Sequence, residues 1–399
     1  MPYKTRDLIN KLTNKSKINY DSFFYSSNNL DIKNIEIYAY GLNETDAKYS
    51  SKWEVWKHLN LVLRVITFDG LEGLSGITTN SIKEFDLSHY YELSSVCSYL
   101  LSIKKNDPIV IRRLLKNKYP NISDSVLACI DIAYWDLAAK KASMPLYKFL
   151  GGQKHIMKAY ASLPFYSENT DLIANIEFHS QMGFEVFKIH TWGLIDKDLE
   201  LIDLIEEQFR NRTFQFILDL EGEYNFDQAL RIGKAMNKDI FIWLEAPMKD
   251  NLLNDYRRLK STISIPIIPD GYTIYSEDHI ENGLKHDCWS AARFDVTIVG
   301  GLTKSLELID IIDKYSAKLE MQCWGNSLVQ ALNIHIMLAS NKSTYFETPV
   351  PIDLYHFGLK NDNLIENGFT REFKKPGLGI EVDWEKLSDA DIYEKKTVC

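Results

Sequence analysis

From residue 158 onward, short β-prone runs with a polar residue at or near their C-terminal end alternate with stretches whose apolar positions recur every three or four residues. The short runs are Lys158–Leu163, Glu185–His190, Phe214–Leu220, Ile240–Glu245, Ile265–Asp270, Ala291–Val296, Leu319–Trp324 and Thr344–Thr348. The helical stretches include Asp196–Arg210, Asp227–Asn237 and Leu302–Ala317. Buried strands alternating with helices are what a parallel sheet with helical crossovers requires. Eight such runs in about 190 residues predict an α/β fold of the closed TIM-type barrel kind rather than an open doubly wound sheet. No Gly-x-Gly-x-x-Gly opens any of the helices, which argues against a dinucleotide site.

The upstream part has another texture. Residues 1–32 are polar without a sustained apolar period and are expected to form an extension. Ile35–Tyr40, Leu61–Thr67 and Leu71–Ser75 are β-prone, with an Asp69-Gly70 turn between the last two, so a small antiparallel sheet is predicted. Helices follow over Tyr90–Ile103, Pro108–Leu115 and Ser123–Lys141. In the last, Val126, Ile130, Ala133, Leu137 and Lys140 share one face, Ser123-Asp124 offers a cap, and Gly151-Gly152 closes the block. The expected organisation is an α+β block over 33–150, the barrel over 151–350 and a C-terminal segment over 351–399.

The barrel strands end on chemistry. Lys188 and His190, then Asp219 with Glu221, Glu245, Asp270, Asp295, Gln322 and Glu347 stand at successive strand ends, and the steps from Asp219 onward are 26, 25, 25, 27 and 25 residues. Parallel strands of a barrel all end at one mouth, so these residues are expected to converge. A carboxylate that terminates an apolar strand is costly to bury without a partner. Asp219, Glu245 and Asp270 together offer three hard oxygen donors, the set expected for Mg²⁺ or Mn²⁺. Lys188 is a candidate general base beside that ion. His190, on the same side of its strand, is a second base or a substrate contact, Glu347 faces the substrate from the far side, and Glu221 joins the ion or the substrate.

The chain carries 46 Lys+Arg against 55 Asp+Glu, a formal charge of -9, which argues against a nucleic-acid partner. Hydrophobic residues at 45% and charged ones at 25% are those of a globular protein, and no run is long and apolar enough for a membrane helix. Five widely spaced cysteines without a Cys-x-x-Cys pair, and a start that lacks an apolar leader core, lead us to expect a cytoplasmic protein with free thiols.

Ala128-Cys-Ile-Asp-Ile-Ala-Tyr-Trp-Asp-Leu-Ala-Ala-Lys140, followed by Met144 to Gly152, resembles the linker helix of the enolase superfamily in its mandelate racemase/muconate lactonizing enzyme branch. The likeness continues through Gly183–His190, Leu218-Asp219, Leu244–Pro247, Ile265-Pro266, Asp295–Gly301, Cys323–Gly325 and Phe346-Glu347, and covers about residues 33–360. It implies an α+β capping domain over a modified (β/α)7β barrel, with the C-terminal segment returning to the cap. It further implies a homo-oligomer, a small-molecule carboxylate substrate and Mg²⁺-assisted removal of the proton α to that carboxylate. In that pattern Asp219 and Glu245 hold the metal, Lys188 is the base on one face, Asp295 belongs to the opposite face, and Gln322 and Trp324 line the substrate. The cap loops 41–53 and 68–78 are expected to set specificity.

The pattern is broken in three places. Asp270 comes one position before the usual third ligand, the lysine expected at 190 is His190, and the histidine expected to pair with Asp295 is Gln322. Without a titratable group at 322 a one-base reaction is favoured, so an acid-sugar dehydratase is expected ahead of a racemase or epimerase. A barrel that binds a carboxylate ligand without catalysis is the competing reading.

Overall fold

In the computed structural model of the protein, residues 31–42, 48, 50–52, 54–81, 84–105, 107–360 and 363–399 are described. All but the last two residues of the expected extension, and part of the 41–53 loop, lie outside them.

Strands β1 (Ile32–Leu42), β2 (Lys57–Thr67) and β3 (Glu72–Ser81) form an antiparallel meander. The C-terminal strand Ile392–Val398 adds to its free edge, pairing with β1 from Ile35↔Val398 to Gly41↔Ile392. Alternation along these strands serves two interiors. Ile35, Ile37, Ala39, Leu59, Leu61, Leu63 and Val65 enter a core closed by the helices α1 (Ser88–Ser102), α2 (Pro108–Lys118) and α3 (Asp124–Lys141). Tyr38, Tyr40, Val62 and Leu74 of the other face pack into the core of the barrel. The segment expected as a second cap loop, 68–78, is a tight turn followed by β3, because Leu74 and Ile77 are buried in those two cores.

Helix α3 corrects the expectation of one apolar stripe, since Val126 to Ala139 is buried throughout. Val126, Ile130, Ala133 and Leu137 face the cap core, whereas Ala128, Ile132, Trp135 and Ala139 face the barrel core. A helix sandwiched between two cores must be apolar on both sides. Its two buried acids are tied down: Asp131 accepts from the Thr303 amide at 2.9 Å and from the Thr303 hydroxyl, and Asp136 accepts from the amides of Leu74 at 2.8 Å and Leu378 at 2.6 Å. Asp136 also takes Lys140 Nζ at 2.7 Å, which accounts for the lysine on an otherwise buried helix.

After a short helix α4 (Leu146–Phe149) the barrel begins. Its strands are β4 (Lys158–Ser162), β5 (Val186–His190), β6 (Gln215–Asp219), β7 (Phe241–Glu245), β8 (Ile267–Ile268), β9 (Ala291–Ala292), β10 (Lys318–Leu319) and β11 (Tyr345–Pro349). The helices α5 (Asn169–Gln181), α6 (Ile195–Phe209), α7 (Phe226–Ala235), α8 (Leu253–Lys260), α9 (Glu277–Lys285), α10 (Leu302–Lys314) and α11 (Ser327–Ser340) alternate with them. Pairing is parallel from β4 through β8 and between β9 and β10, and β11 pairs with β4, as a (β/α)7β barrel requires. Strands β8, β9 and β10 are shorter than the sequence predicts: Pro269, which has no N–H, follows β8, and past β9 and β10 only single backbone bonds, Glu320 to Ala292 and Gln322 to Phe294, carry the pairing on.

Candidate active site

The barrel floor is apolar. Tyr160, Val186, Ile217, Trp243, Ile268 and Ala291 form one buried cluster, a residue from each of β4 to β9. Side chains alternate along a strand, so the residues two further on point into the same interior one step nearer the mouth. Those residues are Ser162, Lys188, Asp219, Glu245, Asp270 and Arg293. The floor excludes water from below, and the layer above it is almost wholly charged. By this count Asp270 stands in the same layer as Asp219 and Glu245.

Contacts within the layer are close. Lys188 Nζ lies 3.0 Å from Asp219 Oδ2, 2.8 Å from Glu245 Oε1 and 2.7 Å from Glu347 Oε1. Arg293 Nη2 reaches Glu245 Oε1 and Glu347 Oε2, each at 2.8 Å, while its Nη1 donates to the Met321 carbonyl. Glu347 also accepts from the Cys323 amide at 3.1 Å and Trp324 Nε1 at 3.3 Å, and Glu245 Oε2 accepts from Trp243 Nε1 at 3.1 Å. Trp324 thus fixes a carboxylate.

Electrostatics follow from these distances. Burial opposes the charge on Lys188, but Glu245, Glu347 and Asp219 outweigh it and hold the ammonium well above its ordinary value. Burial likewise opposes ionisation of Glu347, yet Lys188 and Arg293 bring it down to about 2. Asp219 is held below the usual carboxylate range by Lys188 and His190 against the cost of burial. For Glu245 burial wins over Arg293 and Lys188, and the group is pushed up to about 7.

His190 stands one step nearer the mouth. Its Nδ1 donates to the Leu163 carbonyl at 2.6 Å, so Nε2 is the nitrogen turned to the site, 3.1 Å from Glu221 Oε1 and 3.5 Å from Asp219 Oδ2. Donor atoms of His190, Asp219 and Glu221 lie within 4.8 Å of one another. Asp270 is pushed well above its ordinary value by burial and by the charges of Asp250, Glu221 and Asp219. Among the described residues it is His190, Asp219 and Glu221 whose donor atoms gather this closely, not the expected Asp219, Glu245 and Asp270; Glu245 and Asp270 flank that group, and the surplus of carboxyl groups over Lys188, Arg293 and one imidazole fits a divalent cation.

The opposite wall is different. Asp295 is buried and accepts from the amide and hydroxyl of Thr297 at 2.6 and 2.7 Å, with burial pushing it up to about 7. Gln322 donates its backbone N–H to the Phe294 carbonyl at 3.2 Å, and its side-chain Oε1 is buried without a partner among the described residues. From the cap loop, the Lys48 carbonyl accepts from the Phe165 amide at 2.6 Å, Ser51 donates to the Trp192 carbonyl at 3.0 Å, and Ser50 and Lys52 meet Glu223 at 3.1 and 3.2 Å. The cap thereby lies across the ends of β4, β5 and β6.

Residues 53–151 match the mandelate racemase/muconate lactonizing enzyme N-terminal domain, and residues 171–386 match the enolase C-terminal domain-like family. The chain belongs to the enolase superfamily, in its mandelate racemase/muconate lactonizing enzyme branch. Among its relatives in the superfamily is the arabinonate dehydratase of Saccharolobus solfataricus, 29% identical over 63% of this chain and 68% of that protein. The D-galactonate dehydratase of Cronobacter sakazakii is 25% identical over 66% of this chain and 72% of its own length. A crystal structure from Pseudovibrio sp., of a protein named for the same branch, superposes with a TM-score of 0.83 at 29% identity, covering 92% of this chain and 99% of that one. The L-talarate/galactarate dehydratase of Salmonella typhimurium LT2 shares the fold with a TM-score of 0.81 at 18% identity over 93% and 94% of the two chains. A variant of that enzyme was solved with Mg and L-glucarate.

Arg293 escaped the reading of the sequence although it is buried at the centre of the charged layer. Its signal was present, since it precedes Asp295 by two and shares its side of the strand. Asp250, which holds the backbone of Asp270, carried no local signal at all.

Proposed function

We propose that this superfamily member is an acid-sugar dehydratase that removes the proton α to the substrate carboxylate and expels the neighbouring hydroxyl as water. The observation that carries the reading is the one-sidedness of the site: Lys188 and His190 project from one strand, and position 322 on the opposite wall holds a glutamine that cannot take a proton. Asp219, Glu245 and Asp270 would hold Mg²⁺, with Glu221 and His190 at its margin. The ion would supply a positive charge against the electron density that builds on the substrate carboxylate as the proton leaves.

The chain's own residues divide the work. Lys188 spends its ammonium on three carboxylates, which supports a role as fixed positive charge rather than the expected base. His190 has its tautomer set by the Leu163 carbonyl; burial opposes its charge, but Glu221 and Asp219 outweigh it and raise its proton affinity, so Nε2 in the neutral ring is the proton acceptor. Glu221, 3.1 Å from that nitrogen and pushed toward its acid form by burial and the charge of Asp219, gives its carboxyl proton to the departing hydroxyl, and the imidazolium then returns the abstracted proton to the Glu221 carboxylate. The C–H and C–O bonds break, water leaves, and the enol left behind becomes a 2-keto-3-deoxy acid with a solvent proton at C3. The relatives named as arabinonate and D-galactonate dehydratases support this substrate class.

Incubation with a panel of aldonates and aldarates and Mg²⁺, read by 2-keto acid formation, tests the proposal. A 2-keto-3-deoxy product from at least one acid sugar is expected. Epimerised acid sugar without keto acid would favour a racemase, and no change in any member of the panel would favour a carboxylate-binding barrel.

A further inference from the structure

Asp250 lies beyond the end of β7 and is 3% exposed. Its Oδ1 accepts from the amide of Asp270 at 3.0 Å and its Oδ2 from the amide of Gly271 at 3.0 Å. The hydroxyl of buried Tyr256, on α8, shares its one proton between the Met248 carbonyl at 2.6 Å and the same Oδ1 at 3.1 Å. One carboxylate thus grips two successive amides of the turn that leaves β8, and a tyrosine from the outer helix layer holds the carboxylate.

That turn has little freedom besides. Gly271 has φ +70°, and a Cβ there would come within 2.3 Å of the Arg293 carbonyl oxygen, so the backbone runs hard against the start of the next barrel segment. On its far side the turn meets the cap: Asn80 Nδ2 donates to Tyr272 Oη at 3.4 Å, and Asn80 Oδ1 lies 2.6 Å from His58 Nδ1. Strand β8 is only Ile267–Ile268, so the ladder stops short of Asp270. Something other than sheet hydrogen bonding must place its side chain in the layer of Asp219 and Glu245, and the amides of residues 270 and 271 are where that placement is made.

We infer that Asp250 is a positioning residue that sets the carboxylate of Asp270 in the cation site by clamping the backbone of the 270–272 turn. The inference rests on the reading of Asp219, Glu245 and Asp270 as the ion's ligands. It also accounts for how Asp270 can serve from one position early: Pro269 has no N–H for the ladder, and Asp250 holds the two amides that follow it, so the alternation that points Asp270 into the barrel is kept past the end of the strand.

Groups that orient a metal's ligands cost about 10–100-fold in metal affinity when removed. Calorimetric titration of Mg²⁺ into the native protein, Asp219→Asn, Asp270→Asn, Asp250→Ala and Asp250→Asn, with thermal unfolding of each, is the test. Asp250→Ala is expected to weaken binding at least about tenfold, and Asp250→Asn, which keeps one acceptor, to fall between it and the native protein. Tyr256→Phe, which leaves both amide contacts in place, gives a milder loss and serves if Asp250→Ala fails to fold. Native-like affinity in a folded Asp250→Ala, or in Asp250→Asn and Tyr256→Phe together, overturns the positioning role while the cation site stands. Absence of binding in the native protein, or binding that Asp219→Asn leaves untouched, overturns the cation site itself.

Discussion

The ammonium of Lys188 on β5 lies 2.7 Å from the carboxylate of Glu347 on β11, and the two strands are separated only by β4. Both side chains are buried, and together with Arg293 they lock Glu245 and Glu347 into one network. A buried network of this kind is costly to break from one side, because the partner charges stay behind.

Lys188→Met is therefore expected to destabilise the ion-free protein by about 3–5 kcal/mol, the range for removing one partner of a buried pair. Mg²⁺ should recover part of that loss, since it supplies positive charge to the same carboxylates. Urea unfolding with and without Mg²⁺ checks both statements; a larger Mg²⁺ effect on the native protein than on the variant would contradict them.

Asp219→Asn, Glu245→Gln and Asp270→Asn are each expected to weaken Mg²⁺ binding while leaving the barrel folded. Calorimetry with circular dichroism on the same samples separates lost ligands from lost structure. If only the first two substitutions weaken binding, Asp270 is not a ligand.

The sequence showed where the strands end better than what their ends do together. Five of the barrel strands match the predicted runs to within two residues, because alternating apolar segments of five residues between amphipathic helices leave few other solutions. The charged layer was legible from the same periodicity for Lys188, Asp219 and Glu245. Arg293 was not legible on its own because a lone arginine ordinarily reads as exposed, and the partners of Glu347 come from β5, the segment after β9 and the loop after β10, which no local pattern joins. The double-faced burial of α3 was hidden for a related reason: a helix apolar on all sides has no stripe to read.

Gln322→His places an imidazole at the position where Asp295 would be its partner. The variant is expected to exchange the α proton from the face opposite β5, seen as epimerised substrate alongside dehydration product. Product without any epimer would show that Asp295 and position 322 do not meet as a pair in this chain.

His335 makes a prediction about pH. Its Nδ1 accepts from the Tyr147 amide at 3.1 Å and its Nε2 donates to the Leu378 carbonyl at 3.1 Å, so the neutral ring is fully used. Burial lowers its pKa to about 4 from an ordinary 6.5, against a smaller opposing effect of the Leu378 carbonyl. The unfolded chain takes up the proton first as pH falls, so stability present above about 6.5 is lost progressively down to about 4, on the order of 3 kcal/mol. Denaturation midpoints measured across that window should fall less steeply in His335→Asn than in the native protein, and equal slopes would contradict the assignment.

Removal of the α proton by the β5 wall of a cation-loaded barrel is tested most directly by proton NMR of an acid sugar in D₂O with Mg²⁺. The expected result is loss of the C2 proton with formation of a 2-keto-3-deoxy acid carrying one deuterium at C3, slowed by about 10²–10⁴-fold in His190→Asn. An intact C2 proton throughout the aldonate and aldarate panel, under conditions where the native protein binds Mg²⁺, would contradict the account.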